Sequence, residues 1–95
     1  ALRLRRAALN DLLAREQVLA RERGAAFAAA WTDALVDWLA KLAEGGAEIG
    51  TAHHERTGMR TFGYRRQATV LARFTPGELQ VVRLYFRGQD WQRPE

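Results

Sequence analysis

A single glycine, Gly24, separates two stretches of sequence in which apolar residues recur at helical spacing. The first stretch covers residues 7–23 and the second covers residues 25–44. Glycine readily ends a helix, and a connection this short forces the second helix to fold back along the first. The sequence therefore predicts an antiparallel helical hairpin.

Each predicted helix carries an apolar stripe, with charged residues between the stripe positions. In the first helix the stripe comprises Ala8, Leu9, Leu12, Leu13, Leu19 and Ala20. In the second helix it comprises Phe27, Trp31, Ala34, Leu35, Trp38, Leu39 and Leu42. We interpret the second stripe, with its two tryptophans, as core or interface rather than as a cofactor site.

The helical spacing disappears after Met59, and β-branched and aromatic residues take over. Residues 59–64, 68–74 and 79–86 are predicted strands, and residues 75–78 (Thr-Pro-Gly-Glu) form a turn between the last two. Residues 2–5 alternate apolar and basic side chains, which is typical of a short strand. Residues 45–58 are expected to be a connecting loop.

These elements predict an α+β fold with the order β-α-α-β-β-β, in which the helical hairpin packs on an antiparallel sheet. The length of 95 residues suits one domain spanning residues 1–95. The chain has no cysteine and no long apolar run, so we expect a cytoplasmic protein without a membrane span. No signal peptide is visible either.

The positive charge is concentrated in the second part of the chain. Residues 55–95 hold eight arginines against four acidic residues, whereas the preceding part is neutral. Arginine suits bidentate contact with carboxylates or phosphates. The candidate binding residues are Arg60, Arg65, Arg66, Arg73, Arg83, Arg87, Tyr85 and Trp91. The alternative interpretation is an ordinary polar sheet face whose aromatic residues turn into the core.

Catalytic and metal-binding patterns are absent from the sequence. His53 and His54 are adjacent and followed by Glu55, but no further histidine or cysteine completes a metal site. The chain has neither serine nor cysteine to serve as a nucleophile, and it has no glycine-rich phosphate loop. We therefore expect no metal and no cofactor, and we assign no catalytic residue.

The order of several short motifs resembles the toxins of the RelE/ParE superfamily of bacterial type II toxin–antitoxin systems, with the ParE branch favoured. The opening LRLRRAALNDL is similar to the first strand and helix of that family, and WTDALVDWLAKLAEGGAEIG is similar to its second helix and loop. GMRTFGYRRQATVLARF and VVRLYFRGQDW resemble its later strands. The resemblance covers nearly the whole chain.

The resemblance implies a toxin that is held in a heteromeric complex by a cognate antitoxin with an acidic C-terminal segment. It also implies no sequence-specific DNA binding by the toxin itself. ParE-like members inhibit DNA gyrase, block replication and so stabilise plasmids or chromosomes, whereas RelE-like members are ribosome-dependent mRNA endonucleases. In the second case Arg60, Arg65 and Arg83 would be the candidate catalytic residues. A non-toxic module that only binds its antitoxin is a third possibility.

The end of the chain favours the gyrase-directed branch over the ribonuclease. After Gly88 it has no tyrosine, lysine or histidine where RelE-like members place a late catalytic group. We therefore expect inhibition by binding rather than by catalysis.

Overall fold

The computed structural model describes residues 1–45, 51–52 and 58–86. Its elements in chain order are β1 (Leu2–Leu4), α1 (Arg6–Arg23), α2 (Ala25–Gly45), β2 (Thr51–Ala52), β3 (Arg60–Tyr64), β4 (Ala68–Thr75) and β5 (Glu78–Phe86). The predicted α+β fold, with a helical hairpin on a sheet, is confirmed. The extent of the domain, residues 1–95, stays a prediction.

Gly24 serves both helices of the hairpin. Its N–H donates to the carbonyl oxygen of Ala20 at 3.0 Å, which closes α1, and its own carbonyl accepts from the N–H of Ala28 at 3.1 Å, which opens α2. The φ of Gly24 is 95°, in a region that residues with a Cβ rarely adopt. One residue therefore makes the whole turn, as the sequence predicts.

The five strands form one sheet in the order β1-β5-β4-β3-β2. The pairs β2–β3, β3–β4 and β4–β5 are antiparallel, whereas β1 adds to β5 in parallel, with Leu2 opposite Leu79 and Leu4 opposite Val81. The prediction of a continuous loop over residues 45–58 is wrong at β2, because Thr51–Ala52 pairs with the first two residues of β3. Two residues are too short a run to show a strand pattern in the sequence.

The core lies between the hairpin and the sheet. Leu12 from α1 and Leu35 and Leu39 from α2 pack among buried residues of the three long strands. The strand residues of this core include Phe62, Tyr64, Val70, Ala72, Leu79, Val81, Leu84 and Phe86. Trp31 and Trp38 are half-buried at its border, so the second stripe contributes both to the core and to its border.

Three residues of the predicted stripes are exposed rather than buried. Leu9, Leu13 and Phe27 are 41%, 46% and 37% exposed. In α1 only Ala8, Leu12 and Leu19 are buried, so the face that contacts the rest of the protein is narrower than the stripe. Phe27 is partly covered by the guanidinium group of Arg23, 4.1 Å from its ring centre.

A β-bulge interrupts β5. Leu71 lies opposite Arg83 and the next residue, Ala72, lies opposite Val81, so Val82 has no partner on β4. Because a bulge shifts the alternation by one residue, Val81 before it and Leu84 after it are both buried in the core. Within the described ranges, neither α1 nor α2 has the length and apolarity needed to cross a membrane.

Candidate functional site

Asp11 on α1 and Arg83 on β5 form a bidentate ion pair. Arg83 donates from Nε to Asp11 Oδ2 at 2.7 Å and from Nη2 to Asp11 Oδ1 at 3.0 Å. The backbone N–H of Leu84 donates to the same Oδ2 at 3.0 Å. The pairing of β1 with β5 ends at Val81. Beyond that point, the Asp11 carboxylate binds the backbone amide of Leu84 on β5. It therefore attaches the start of the hairpin to the sheet.

The pair stabilises the charged form of Arg83. Its hydrogen bonds to Asp11 raise the pKa of the Arg83 guanidinium above its ordinary value, and partial burial opposes this effect without cancelling it. The side chain of Arg83 is 41% exposed and that of Asp11 is 18% exposed. Arg83 is therefore a permanent cation whose planar fork is already occupied by a carboxylate of its own chain.

A second network joins the strands beside this pair. Gln80 Oε1 accepts hydrogen bonds from Arg73 Nε at 3.2 Å and from Arg5 Nη1 at 3.4 Å. The amide nitrogen of Gln80 donates to Glu78 Oε1 at 2.8 Å, and Glu78 Oε2 lies 3.6 Å from Arg3 Nε. A neutral amide oxygen thus holds Arg5 and Arg73 next to each other without neutralising either.

These side chains border an open cleft of about 360 Å³. Its lining residues are Arg5, Arg6, Ala7, Arg73, Val82, Arg83 and Tyr85. The guanidinium group of Arg83 also lies 5.3 Å from the ring centre of Tyr85. We call this feature the arginine cleft.

The arginine cleft has a surplus of positive charge. Among the described residues, Asp11 pairs with Arg83, but no carboxylate lies within ion-pair distance of Arg5, Arg6 or Arg73. In addition, α1 begins at Arg6 with no side-chain cap and no acidic residue in its first turn. The cleft is therefore suited chemically to a carboxylate or a phosphate from outside this part of the chain.

The β3–β4 hairpin tip carries the adjacent pair Arg65 and Arg66. Both are exposed, and their φ angles are 49° and 58°. The N–H of Gln67 donates to the carbonyl of Tyr64 at 2.8 Å and closes the turn. The Arg65 guanidinium lies 5.2 Å from the ring centre of Tyr64.

The sequence-predicted site residues therefore fall into separate groups. Arg73, Arg83 and Tyr85 meet in the arginine cleft, whereas Arg65 and Arg66 occupy the hairpin tip. Arg60 lies apart on β3, opposite Ala72 of β4 and Ala52 of β2. Arg87 and Trp91 lie outside the described residues, as do His53 and His54.

Sequence reasoning missed Arg5, Arg6 and the partner role of Asp11. The run LRLRR contained the signal, because arginines directly after a short strand lie at the end of that strand and the start of the next helix. What brings them to Arg73 and Arg83 is the parallel pairing of β1 with β5. That pairing joins the two ends of the described chain and has no local sequence signature.

Exposed apolar residues follow the cleft along α1. Arg6, Leu9 and Leu13 are spaced three and four residues apart, so they lie on one face of the helix. Leu9 and Leu13 are the exposed members of the α1 stripe. A basic site and an apolar strip are thus continuous on one surface.

The whole architecture has a counterpart among solved structures. It is similar to a chain of the structure titled "Chromosomal ParDE TA system from P. aeruginosa", with a TM-score of 0.75 and 26% sequence identity. The match covers 90% of this chain and 94% of that one. No protein-family model matches the sequence. No curated protein matches it either.

Proposed function

From the premise that this chain is a ParE-like toxin of the RelE/ParE superfamily, we propose that it inhibits DNA gyrase and that a cognate antitoxin neutralises it in a heteromeric complex. The observation that carries the proposal is the structural likeness over 90% of the chain to a member of a ParDE TA system. The described surface adds two features that suit a partner of this kind.

The first feature is the surplus charge of the arginine cleft. Arg5, Arg6 and Arg73 face a common space and have no carboxylate partner among the described residues. A partner segment rich in aspartate or glutamate gains charge-assisted hydrogen bonds there. Complementary charge also accelerates association between the two proteins. We therefore assign the cleft to the acidic segment of the antitoxin.

The second feature is the apolar strip beside the cleft. Leu9 and Leu13 are each more than two-fifths exposed and lie one helical turn apart. An amphipathic segment of the antitoxin buries them by packing along α1, while its acidic residues reach Arg6 and the cleft. One continuous partner segment thus satisfies both features.

The cleft argues for binding over ribonuclease chemistry. The Arg83 fork is occupied by Asp11, which leaves Arg83 less able to hold a scissile phosphate. Besides the arginines, the described lining residues of the cleft offer only the hydroxyl of Tyr85 as an acid–base group. Arginine is a poor proton donor at neutral pH because its pKa is too high. These contacts support a toxin that acts by occupying its target.

Induced expression without antitoxin separates the two targets. We expect growth to stop, reporter plasmids to lose negative supercoiling, and mRNA on translating ribosomes to stay intact. Cut sites in ribosome-bound mRNA, together with unchanged plasmid supercoiling, would show that the chain is a ribonuclease and not a gyrase inhibitor. Normal growth, with a folded protein that still binds the antitoxin when the two are mixed afterwards, would leave only an antitoxin-binding module.

A further inference from the structure

The backbone at the β3–β4 hairpin tip has a conformation that favours residues other than the two arginines found there. Arg65 and Arg66 have φ angles of 49° and 58°, both in the left-handed region. Two successive positive φ angles are the signature of type I′ turns, where Asn-Gly, Asp-Gly and Gly-Gly are preferred. Residues with a long side chain are uncommon there. The chain therefore keeps two arginines at a place where other residues would relieve strain.

No contact within the described residues explains this choice. Both side chains are exposed, and no described carboxylate pairs with either of them. Arg65 does contact one aromatic ring: its guanidinium group lies 5.2 Å from the ring centre of Tyr64. Strain that the fold does not need is found most often at sites that bind something.

The fold nevertheless holds the tip in a fixed place. Trp31 Nε1 on α2 donates to Gln67 Oε1 at 2.9 Å, which ties the turn to the helical hairpin. Tyr64 is 2% exposed and packs against Trp31 and Trp38, with ring centres 6.5 and 5.0 Å apart. The two positive charges are therefore presented by a preorganised support, which lowers the entropy lost on binding.

We propose that the Arg65–Arg66 tip is a second anion-binding site and that it contacts the sugar–phosphate backbone of nucleic acid without reading its sequence. Guanidinium groups match phosphate in a bidentate manner, and adjacent arginines on one turn can engage neighbouring phosphates of a strand. None of the residues that line the arginine cleft belongs to this tip.

The shape of the tip favours nucleic acid over an acidic peptide. A hairpin turn is convex and offers no groove in which a flexible peptide is ordered. The backbone of a nucleic-acid duplex is already ordered and carries closely spaced charges along its whole length. The tip therefore serves a target that includes DNA or RNA, and the proposed toxin activity is not needed for this contact.

The test is binding of the full chain to a fluorescent DNA duplex of mixed sequence, measured over a series of salt concentrations. The informative variant is Arg65→Asn/Arg66→Gly, which removes both charges and installs the preferred turn residues. We expect about tenfold weaker binding at low salt, and a slope of log K against log salt that is less steep by about 2. We also expect a melting temperature no lower than that of the unchanged chain, so unfolding does not explain the loss.

The matched control is Arg21→Ala/Arg23→Ala, which removes the same charge from the exposed end of α1. We expect it to change the slope by much less. Equal losses in the two double variants would overturn the proposal, because net charge alone would then explain binding. Unchanged DNA binding in the tip variant, with or without weaker antitoxin binding, would overturn it as well.

Discussion

Asp11 and Arg83, 72 positions apart in sequence, are joined by two hydrogen bonds of 2.7 and 3.0 Å. The same carboxylate accepts the N–H of Leu84 at 3.0 Å, just beyond the point where β1 stops pairing with β5. One side chain on α1 thus completes the edge of the sheet and neutralises a cation of the arginine cleft. Removal of the Asp11 side chain should therefore affect both the sheet edge and the charge of the cleft.

We predict that Asp11→Ala destabilises the protein by about 1.5–3 kcal/mol, because it leaves the Leu84 amide and the Arg83 fork unsatisfied. For a chain of this size that lowers Tm by roughly 6–24 °C, which thermal denaturation followed by circular dichroism will detect. The control is Asp37→Ala, which breaks an exposed pair with Lys41 and changes stability by less than about 0.5 kcal/mol.

Equal Tm values for the Asp11→Ala and Asp37→Ala variants would contradict a structural role for the Asp11–Arg83 pair. Arg83→Ala is expected to lose stability too, since it leaves Asp11 without its cation. A change in toxicity of that variant is therefore interpretable only after its Tm has been measured.

Much of the fold follows from local patterns in the sequence. The helical hairpin follows from apolar spacing and Gly24, and the β4–β5 turn follows from Pro76 and Gly77, so these boundaries agree with the structure within one or two residues. The parallel pairing of β1 with β5 does not follow, because it depends on contacts between distant parts of the chain.

The candidate site was predictable only in part, for the same reason. The predicted turn places Arg73 on the strand next to Arg83 and Tyr85. The three side chains share one face only because the β5 bulge shifts the alternation by one residue, and that bulge was not predicted from the sequence. Arg5 and Asp11 reach them through the β1–β5 pairing and the packing of α1. The left-handed conformation of the Arg65–Arg66 tip was not predictable either, since nothing in that dipeptide favours it.

The surplus charge of the cleft predicts a measurable effect on antitoxin binding. Arg73→Ala removes a cation that has no carboxylate partner among the described residues, so it should leave stability nearly unchanged. We expect the affinity for the antitoxin to fall about tenfold or more, the size of one lost charge-assisted hydrogen bond. Calorimetric titration measures it, with Arg21→Ala as the control. Equal affinities for both variants would exclude the cleft from the interface.

Substitution of two leucines on the helical hairpin should distinguish a core position from a position on the partner surface. Leu35 is fully buried, and Leu35→Ala should destabilise the protein by about 2–5 kcal/mol. Leu13 is 46% exposed, and Leu13→Ala should change stability by less than about 0.5 kcal/mol while weakening antitoxin binding by about 1 kcal/mol or more. Chemical denaturation and titration of both variants check this. A Leu13 variant with unaltered antitoxin affinity would remove the apolar strip from the proposed interface.

The left-handed conformation of the hairpin tip predicts that introducing a glycine there stabilises the protein, whereas removing a glycine with a positive φ elsewhere destabilises it. Arg66→Gly should stabilise the protein by about 0.5–1 kcal/mol, because relief of left-handed strain exceeds the added chain entropy of glycine. Gly77→Ala should destabilise it by about 1 kcal/mol, because Gly77 has a φ of 76° that strains a residue with a Cβ. The added Cβ would meet no atom within 4 Å, so backbone strain is the whole of the expected effect. Their denaturation midpoints should move in opposite directions. A destabilised Arg66→Gly variant would show that the tip is not strained.

The central claim is that a ParE-like fold here serves to inhibit gyrase, and supercoiling of relaxed plasmid by purified gyrase tests it most directly. We predict that the chain in stoichiometric excess abolishes supercoiling and that prior addition of the antitoxin restores it. Full supercoiling in the presence of an excess of folded chain that still binds its antitoxin would contradict the claim.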